Sequence, residues 1–323
     1  MQTDKKKIKI AFIVGQFPAI SETFIINQVA DLMDSGVEVE IFSLRRGDEK
    51  NISQRFFDYK MEESTNYLNM PENFLERFLK AIPKIIKIFL SRPLSLFKAL
   101  NFIKYGRDAF SLKLIFWCEQ FLGKKFDLVH CHFGPIANKF LIIKDILGLQ
   151  EKFVTTFYGY DVSRATKMKR GNYYDRLKKE CPMYFVMSEN MKERVVAQGF
   201  DAEKIKVLPI SIDVSSYPFK ERNYQEGEQV DMVSVGRFVE KKGLDDLLRA
   251  LAIVKKKTNK PFKCVIIGDG YMKKELLALT DKLDINNEVD YKGYIKIEEV
   301  INIFLESHLY LQPSKTAKDG DME

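Results

Sequence analysis

The sequence predicts an α/β fold of doubly wound, parallel-sheet type, and three observations carry that prediction. Val230–Gly243 (VDMVSVGRFVEKKG) runs from an apolar, β-branched strand through Gly236 and a charged turn into a helical pattern, LDDLLRALAIVKKK. Strand-like and helical runs alternate on both sides of it, the order of a parallel sheet with helical crossovers. The 323 residues suffice for two domains, each with its own core. In such folds the turn between a strand and the next helix gathers free N–H groups suited to phosphate. Arg237 stands at the strand end and Lys242 at the helix start, so two cations converge on one crevice, which suits a diphosphate. A charged surface turn fits the same pattern, and pattern alone leaves both readings open.

In chain order, residues 8–14 (IKIAFIV) form a buried first strand and Gly15-Gln16-Phe17-Pro18 the loop that leaves it. Ser21 caps a helix, ETFIINQVADLMDSG, that Gly36 closes, and VEVEIFSL (37–44) is the second strand. The opening unit lacks G-x-G-x-x-G, so a dinucleotide fingerprint is unsupported. The basic start MQTDKKK precedes an apolar run that is short and β-rich, with no small-residue cleavage site, and is read as strand rather than leader. Four separated cysteines without a C-x-x-C pair suggest neither a disulfide framework nor a zinc knuckle, and fit a reducing, cytoplasmic setting.

Charge is unevenly placed. Of a formal +7, residues 77–125 hold eleven Lys/Arg against Asp108 and Glu119, a local +9 that leaves about −2 for the remainder. Prolines 71, 83 and 93 are expected to divide residues 72–125 into helical pieces. Basic, amphipathic and aromatic, this insert is read either as a surface for anionic lipid headgroups or as helices packed on the domain with lysines in water. No nucleic-acid module accompanies it.

FDLVHCHFGPIAN (126–138) is a strand and its exit loop, and period-two alternation puts His130 and His132 on one face. The only other histidine is His308, without a carboxylate cluster at ligand spacing, so no metal site is expected. On the residues alone, an imidazole hydrogen-bonded at the strand end is the expected role, with His132 the nearer of the two to the strand's C-terminal end. In FVTTFYGYDVSR (153–164), Gly159 turns the chain and Asp161 or Ser163 caps a helix, with direct substrate contact by Asp161 the other reading. Ser188 caps a helix ended by Gly199-Phe200, a further strand follows, and 214–229 is the expected linker. Beyond it come FKCVIIGDG, YMKKELLALTDKL, VDYKGY, IEEVINIFLES and LYLQPS as strand, helix, strand, helix and strand.

These motifs carry a resemblance. G-R-x-x-x-x-K-G at Gly236–Gly243 resembles the donor-diphosphate motif of retaining glycosyltransferases of the GT-B type, family 4. FPAISETFIINQ and H-x-H-F-G resemble the exopolysaccharide and colanic-acid branch. FVTTFYGYD is similar to the family's T-x-H-G-x-D segment, with Tyr158 where most members carry His. The loop after Ile13-Val14 has Gly15 alone where many members have paired glycines, and Ile210-Ser211 stand where Asn-Gly is usual. The resemblance implies two Rossmann-like domains facing a cleft: an acceptor domain at 1–213 with the insert 72–125, a linker at 214–229, and a partial donor domain at 230–323. It implies a UDP- or GDP-sugar donor, a lipid-linked or growing polysaccharide acceptor, and a peripheral place on the inner face of the plasma membrane. No metal or other cofactor is implied, since Arg237 and Lys242 would neutralise the leaving diphosphate. Gly15, Gly236, Gly268, Gly270, Tyr294 and Glu323 would join them on the donor side, with Arg237, Lys242 and Glu323 at the chemistry. Ser21, Glu22, His132, Tyr158 and Asp161 would face the acceptor and the sugar. By register Glu323 matches the first of two family glutamates, so the resemblance implies a donor domain lacking its last units, with an unpaired sheet edge. The alternative is a non-catalytic truncated relative, or half of a split enzyme, that docks on membrane or glycan.

Overall fold

A computed structural model describes residues 7–50, 52–163, 171–210, 212, 214 and 217–322. The chain divides into two compact units, Met1–Asp48 with Gln54–Ile210, and Glu49–Ser53 with Ser211–Glu323. The division falls just before the 214–229 stretch, which groups with the second unit.

In the first unit, β1 (Lys9–Val14), β2 (Glu38–Ser43), β3 (Thr65–Tyr67), β4 (Leu128–His132), β5 (Phe153–Thr156), β6 (Tyr184–Val186) and β7 (Ile205–Val207) form one parallel sheet, ordered β3-β2-β1-β4-β5-β6-β7. Helices α1 (Thr23–Asp34), α2 (Gln54–Asp58), α7 (Gly134–Leu147), α8 (Asp175–Glu180) and α9 (Glu189–Val196) belong to the connections. With both faces covered, central strands become continuous apolar runs, and Ala11, Phe12, Val14, Val129 and Cys131 are buried. The order reverses between β1 and β4, a switch point where their exit loops part and a crevice forms beyond the strand ends.

Two local expectations are corrected. Ser21 is no cap: it lies in a 3-10 turn, Ile20–Glu22, and α1 begins at Thr23 without a side-chain cap bond. Pro83 does not divide the insert: α3 (Phe74–Ser91) runs through it, capped by Asn73, whose side chain accepts the Leu75 and Glu76 N–H groups. Pro83 is exposed, where water can meet a carbonyl deprived of its partner.

The insert continues as α4 (Pro93–Ala99), α5 (Phe102–Phe110) and α6 (Lys113–Phe121). Its halves differ. In α6, Leu114, Ile115, Phe116, Trp117, Cys118 and Phe121 are all buried in the main core, and Phe121 stacks on Phe42 of β2 at 4.2 Å. Helices α3 to α5 give that core only Ala81, Ile88, Leu96, Ala99 and Ala109 as buried members among the described residues, and leave much apolar surface exposed.

The second unit has a parallel sheet ordered β10-β9-β8-β11, from β8 (Val230–Val235), β9 (Phe262–Ile267), β10 (Val289–Gly293) and β11 (Leu309–Tyr310). One face packs Met232, Cys264 and Ile266 against Leu247, Leu248 and Leu251 of α10 (Leu244–Lys257) and Leu276 of α11 (Lys273–Lys282). On the other face Val233 and Ile267 have, among the described residues, only Val300 of α12 (Ile297–Glu306) as a buried partner. β11 is two residues long at the sheet edge, and both its side chains are half exposed.

Because α6 docks the insert through Phe121, replacing that ring by Ala should cost the first unit about 3–5 kcal/mol. Urea denaturation measures it; a loss below about 1 kcal/mol would mean that α6 is not held by this contact.

Candidate functional site

Within the first unit the candidate site is built where β1, β4 and β5 end. Alternation on β4 places both histidines on one face, their rings 4.2 Å apart. His130 Nε2 bonds Thr156 Oγ1 at 2.7 Å, and His132 Nδ1 bonds the Tyr158 hydroxyl at 2.8 Å. Burial lowers His130 to about 4; burial, and secondarily the neighbouring His130, hold His132 well below its ordinary value. Both are therefore neutral at pH 7. His132 Nε2 is buried with no hydrogen-bond partner among the described residues. Burial also raises the half-buried Tyr158 phenol, which keeps its proton and packs against Phe24 and Phe133.

Asp161 is wholly buried. Its Oδ1 accepts the Tyr158 and Gly159 N–H groups and its Oδ2 that of Gly134, all at 3.0 Å. It thus ties the β5 exit loop back to the start of α7, rather than capping forward as expected. Ser163 likewise donates backward, to the Gly159 carbonyl. Burial raises the Asp161 carboxyl to about 6, against the lowering pull of those N–H groups. Gly134 is required by space: a Cβ there would lie 2.6 Å from Phe157 Cε1 and 2.7 Å from the Tyr174 hydroxyl. Phe133, just before it, takes φ +74°, a strained value for a non-glycine residue.

The β1 exit loop contains Gly15 and a cis Phe17-Pro18 bond. A Cβ at Gly15 would make only ordinary contact with Ile136. The sequence reading missed Gly47, whose N–H donates to the Phe17 carbonyl and whose Cβ would collide with the Pro18 carbonyl. Ser21 and Glu22 lie in the turn beyond this loop.

In the second unit, β8 ends at Val235, Gly236 follows it, and Arg237 is exposed. Lys242 lies across Gly236, its Cδ and Cε 3.2 Å from where a Cβ would stand. It falls in a 3-10 turn, Glu240–Lys242, one residue before the left-handed Gly243 that opens α10, and so is not within the helix. The β9 exit loop packs backbone to backbone on this turn. A Cβ on Gly268, at φ +134°, would be 2.0 Å from the Gly236 carbonyl oxygen, and one on Gly270 would be 2.5 Å from that of Phe238. Tyr294 donates to the Asp269 carbonyl at 3.2 Å.

The loop after β11 is stitched to the same turn. Lys315 N–H donates to the Lys241 carbonyl, and Lys315 Nζ reaches Asp245 at 2.8 Å and Asp246 at 2.7 Å. Lys241 pairs with Asp321. These contacts place the end of the described chain beside the turn; Glu323 lies outside the described residues. Among the described residues no three His, Cys, Asp or Glu side chains cluster as a metal-ligand set.

With this geometry established, similarity to known proteins is informative. Residues 21–216 match the profile of Glycosyltransferase Family 4, and residues 218–320 that of Glycosyl transferases group 1. The chain belongs to glycosyltransferase family 4. This family 4 chain is 32% identical over 330 residues to the amylovoran biosynthesis glycosyltransferase AmsK of Erwinia amylovora, a match covering 98% of the chain and 78% of AmsK. It is 28% identical over 324 residues, with the same coverage, to WcaL of Salmonella typhimurium strain LT2, a protein named for colanic acid biosynthesis. Among solved structures, Anabaena Alr3699/HepE in complex with UDP and glucose matches with a TM-score of 0.60 at 14% identity, over 97% of this chain and 76% of that one. The fold of this family 4 chain is accordingly of the GT-B type, with two Rossmann-like domains.

The buried titrating groups make stability depend on pH in opposing ways. His130 falls below its unfolded value, so its share of stability is full above about pH 6.5 and is lost as pH falls toward 4. Asp161 rises above its unfolded value, so its share is full below about pH 4 and is lost as pH rises through about 6. Going from about pH 7.5 to about pH 5, His130 should withdraw about 2 kcal/mol and Asp161 return a smaller amount. Urea titrations at the two pH values should show that His130→Gln removes this share of the acid sensitivity; an unchanged pH dependence would count against a neutral buried His130.

Proposed function

We propose that this chain transfers a sugar from a nucleoside diphosphate donor to a lipid-linked or growing polysaccharide, with retention at the anomeric carbon. The observation that carries the reading is at the end of β8, where exposed Arg237 follows Gly236 and the Lys242 stem lies across that glycine. A planar fork and a compact point charge beside one strand end suit the two phosphates of a UDP- or GDP-sugar. As the glycosidic bond breaks, charge grows on the leaving phosphate, and cations already in place stabilise it more than they stabilise the bound donor. The acceptor hydroxyl attacks from the face the diphosphate leaves, and the departing phosphate oxygen takes its proton. This route requires no metal, no further cofactor and no separate general base.

In the first unit, Tyr158 is suited to holding a sugar hydroxyl, since its phenol stays protonated and His132 fixes its orientation. His132 is itself fully buried, so its part is to orient that phenol from behind. The names of AmsK and WcaL support an extracellular polysaccharide as the product, and the UDP and glucose held by HepE support a uridine donor. Residues 72–125 would rest on the inner face of the plasma membrane, making this a cytoplasmic, peripheral enzyme. Among the described residues no helix is long and apolar enough to cross a membrane.

Calorimetric titration with UDP, GDP and ADP tests the proposal. One of the first two should bind, and Arg237→Ala with Lys242→Ala should weaken it by roughly 100-fold or more, since charged hydrogen bonds contribute about 1.5–3 kcal/mol each. A chain folded by circular dichroism that binds none of the three would overturn it and favour the non-catalytic reading.

A further inference from the structure

We infer that the outer face of α3, continued by α5, is a bilayer-docking surface that inserts its apolar side chains into an anionic leaflet. The inference rests on the proposed membrane setting and deepens it, assigning the attachment to buried apolar contact rather than to lysines alone.

At about 100° per residue, the apolar positions of α3 cover more than half of its circumference. The unit uses only a narrow strip of that arc: Ala81 and Ile88 are buried, and Ile85 packs against the core. Leu75, Leu79, Ile82, Ile86, Phe89 and Leu90 fall on the rest of the arc and are between 42% and 77% exposed. Arg77, Lys80, Lys84 and Lys87 occupy the opposite side.

The patch extends beyond one helix. Phe74 at the start of α3 stacks on Phe110 of α5 at 6.2 Å, and Phe110 meets Phe102 at 6.4 Å, so the two helices present these rings together. Ile103, on the same short helix, is fully exposed. Contiguous apolar surface of this extent is unusual unless something covers it, and a basic amphipathic helix with aromatic residues is the type that lies in a bilayer interface.

Charge selects the occupant. The segment carries +9. Glu119 takes up both Lys84 and Lys87, and Asp145 takes up Lys104, while Lys98 and Arg107 have no carboxylate partner among the described residues. A second copy docking here would set Lys98 and Arg107 of both chains against each other; anionic headgroups neutralise them.

Co-sedimentation tests the surface, using the purified chain with vesicles of phosphatidylcholine alone or with about one third phosphatidylglycerol. Binding is expected to the anionic vesicles. Ile82→Glu with Phe89→Glu, both at exposed positions, should weaken it about tenfold or more, and Lys98→Glu with Arg107→Glu should weaken it chiefly at low salt. Urea denaturation of the same variants reports that the first unit remains folded, and nucleotide titration separates this inference from the proposed chemistry. Unchanged vesicle binding by the Ile82/Phe89 variant would overturn the inference. So would a wild-type dimer that this variant dissociates, with no vesicle binding by either protein, since the face would then belong to a second copy.

Discussion

Asp161 holds the first unit's site together from inside the protein. One oxygen takes two successive N–H groups of the β5 exit loop and the other takes the first N–H of α7, so two chain segments far apart in sequence are fixed to one carboxylate. Its own carbonyl accepts the Tyr174 hydroxyl, which closes the same corner from a third direction. Burying a charge this way is unfavourable unless its bonds are complete, and here their number offsets much of the desolvation. The arrangement accounts for two neighbouring oddities. Phe133 sustains a positive φ because the residues on either side are held, and Tyr158 meets His132 at hydrogen-bond distance because its own backbone is anchored.

The second unit reaches a comparable end chiefly by close backbone contact. Gly268 against Gly236, Gly270 against Phe238, and Gly243 with its Cβ position 2.0 Å from the Pro313 carbonyl oxygen bring three exit loops together with no side chain between them. Such contact cannot be loosened gradually, because any added carbon displaces a carbonyl. The exposed guanidinium of Arg237 therefore projects from a rigid base, a favourable property for a group that must be in place before charge develops.

Much of this was written plainly in the chain. Apolar runs gave most strands to within about two residues, though the short Thr65–Tyr67 strand went unread and LYLQPS is strand only at Leu309–Tyr310. Alternation on Leu128–His132 put the paired histidines on one face. The turn bearing Arg237 and Lys242 announced itself by glycine and charge. What stayed hidden depended on partners distant in sequence. Gly47 matters because of where Pro18 lies, and Lys315 because it meets Asp245 and Asp246, seventy or so residues earlier. Asp161 followed Gly159 in just the way a helix cap would, and nothing local distinguishes a carboxylate bonding forward from one bonding backward. The insert was harder, because periodicity shows an apolar face but not whether the fold covers it. In α6 it does, and in α3 it largely does not.

Pro83 brings no N–H to the carbonyl of Leu79, four residues back in a helix that otherwise runs unbroken. Leu79 stands toward the far edge of the exposed apolar arc, so the deprived carbonyl lies near that edge too. A carbonyl in this state is tolerable in the hydrated headgroup layer and unfavourable among acyl chains. On a bilayer, α3 would roll about its axis until that edge stayed wet, with Ile82 and Phe89 as its deepest points. A single imino acid would thus set both the depth of immersion and the angle at which the domain above it stands.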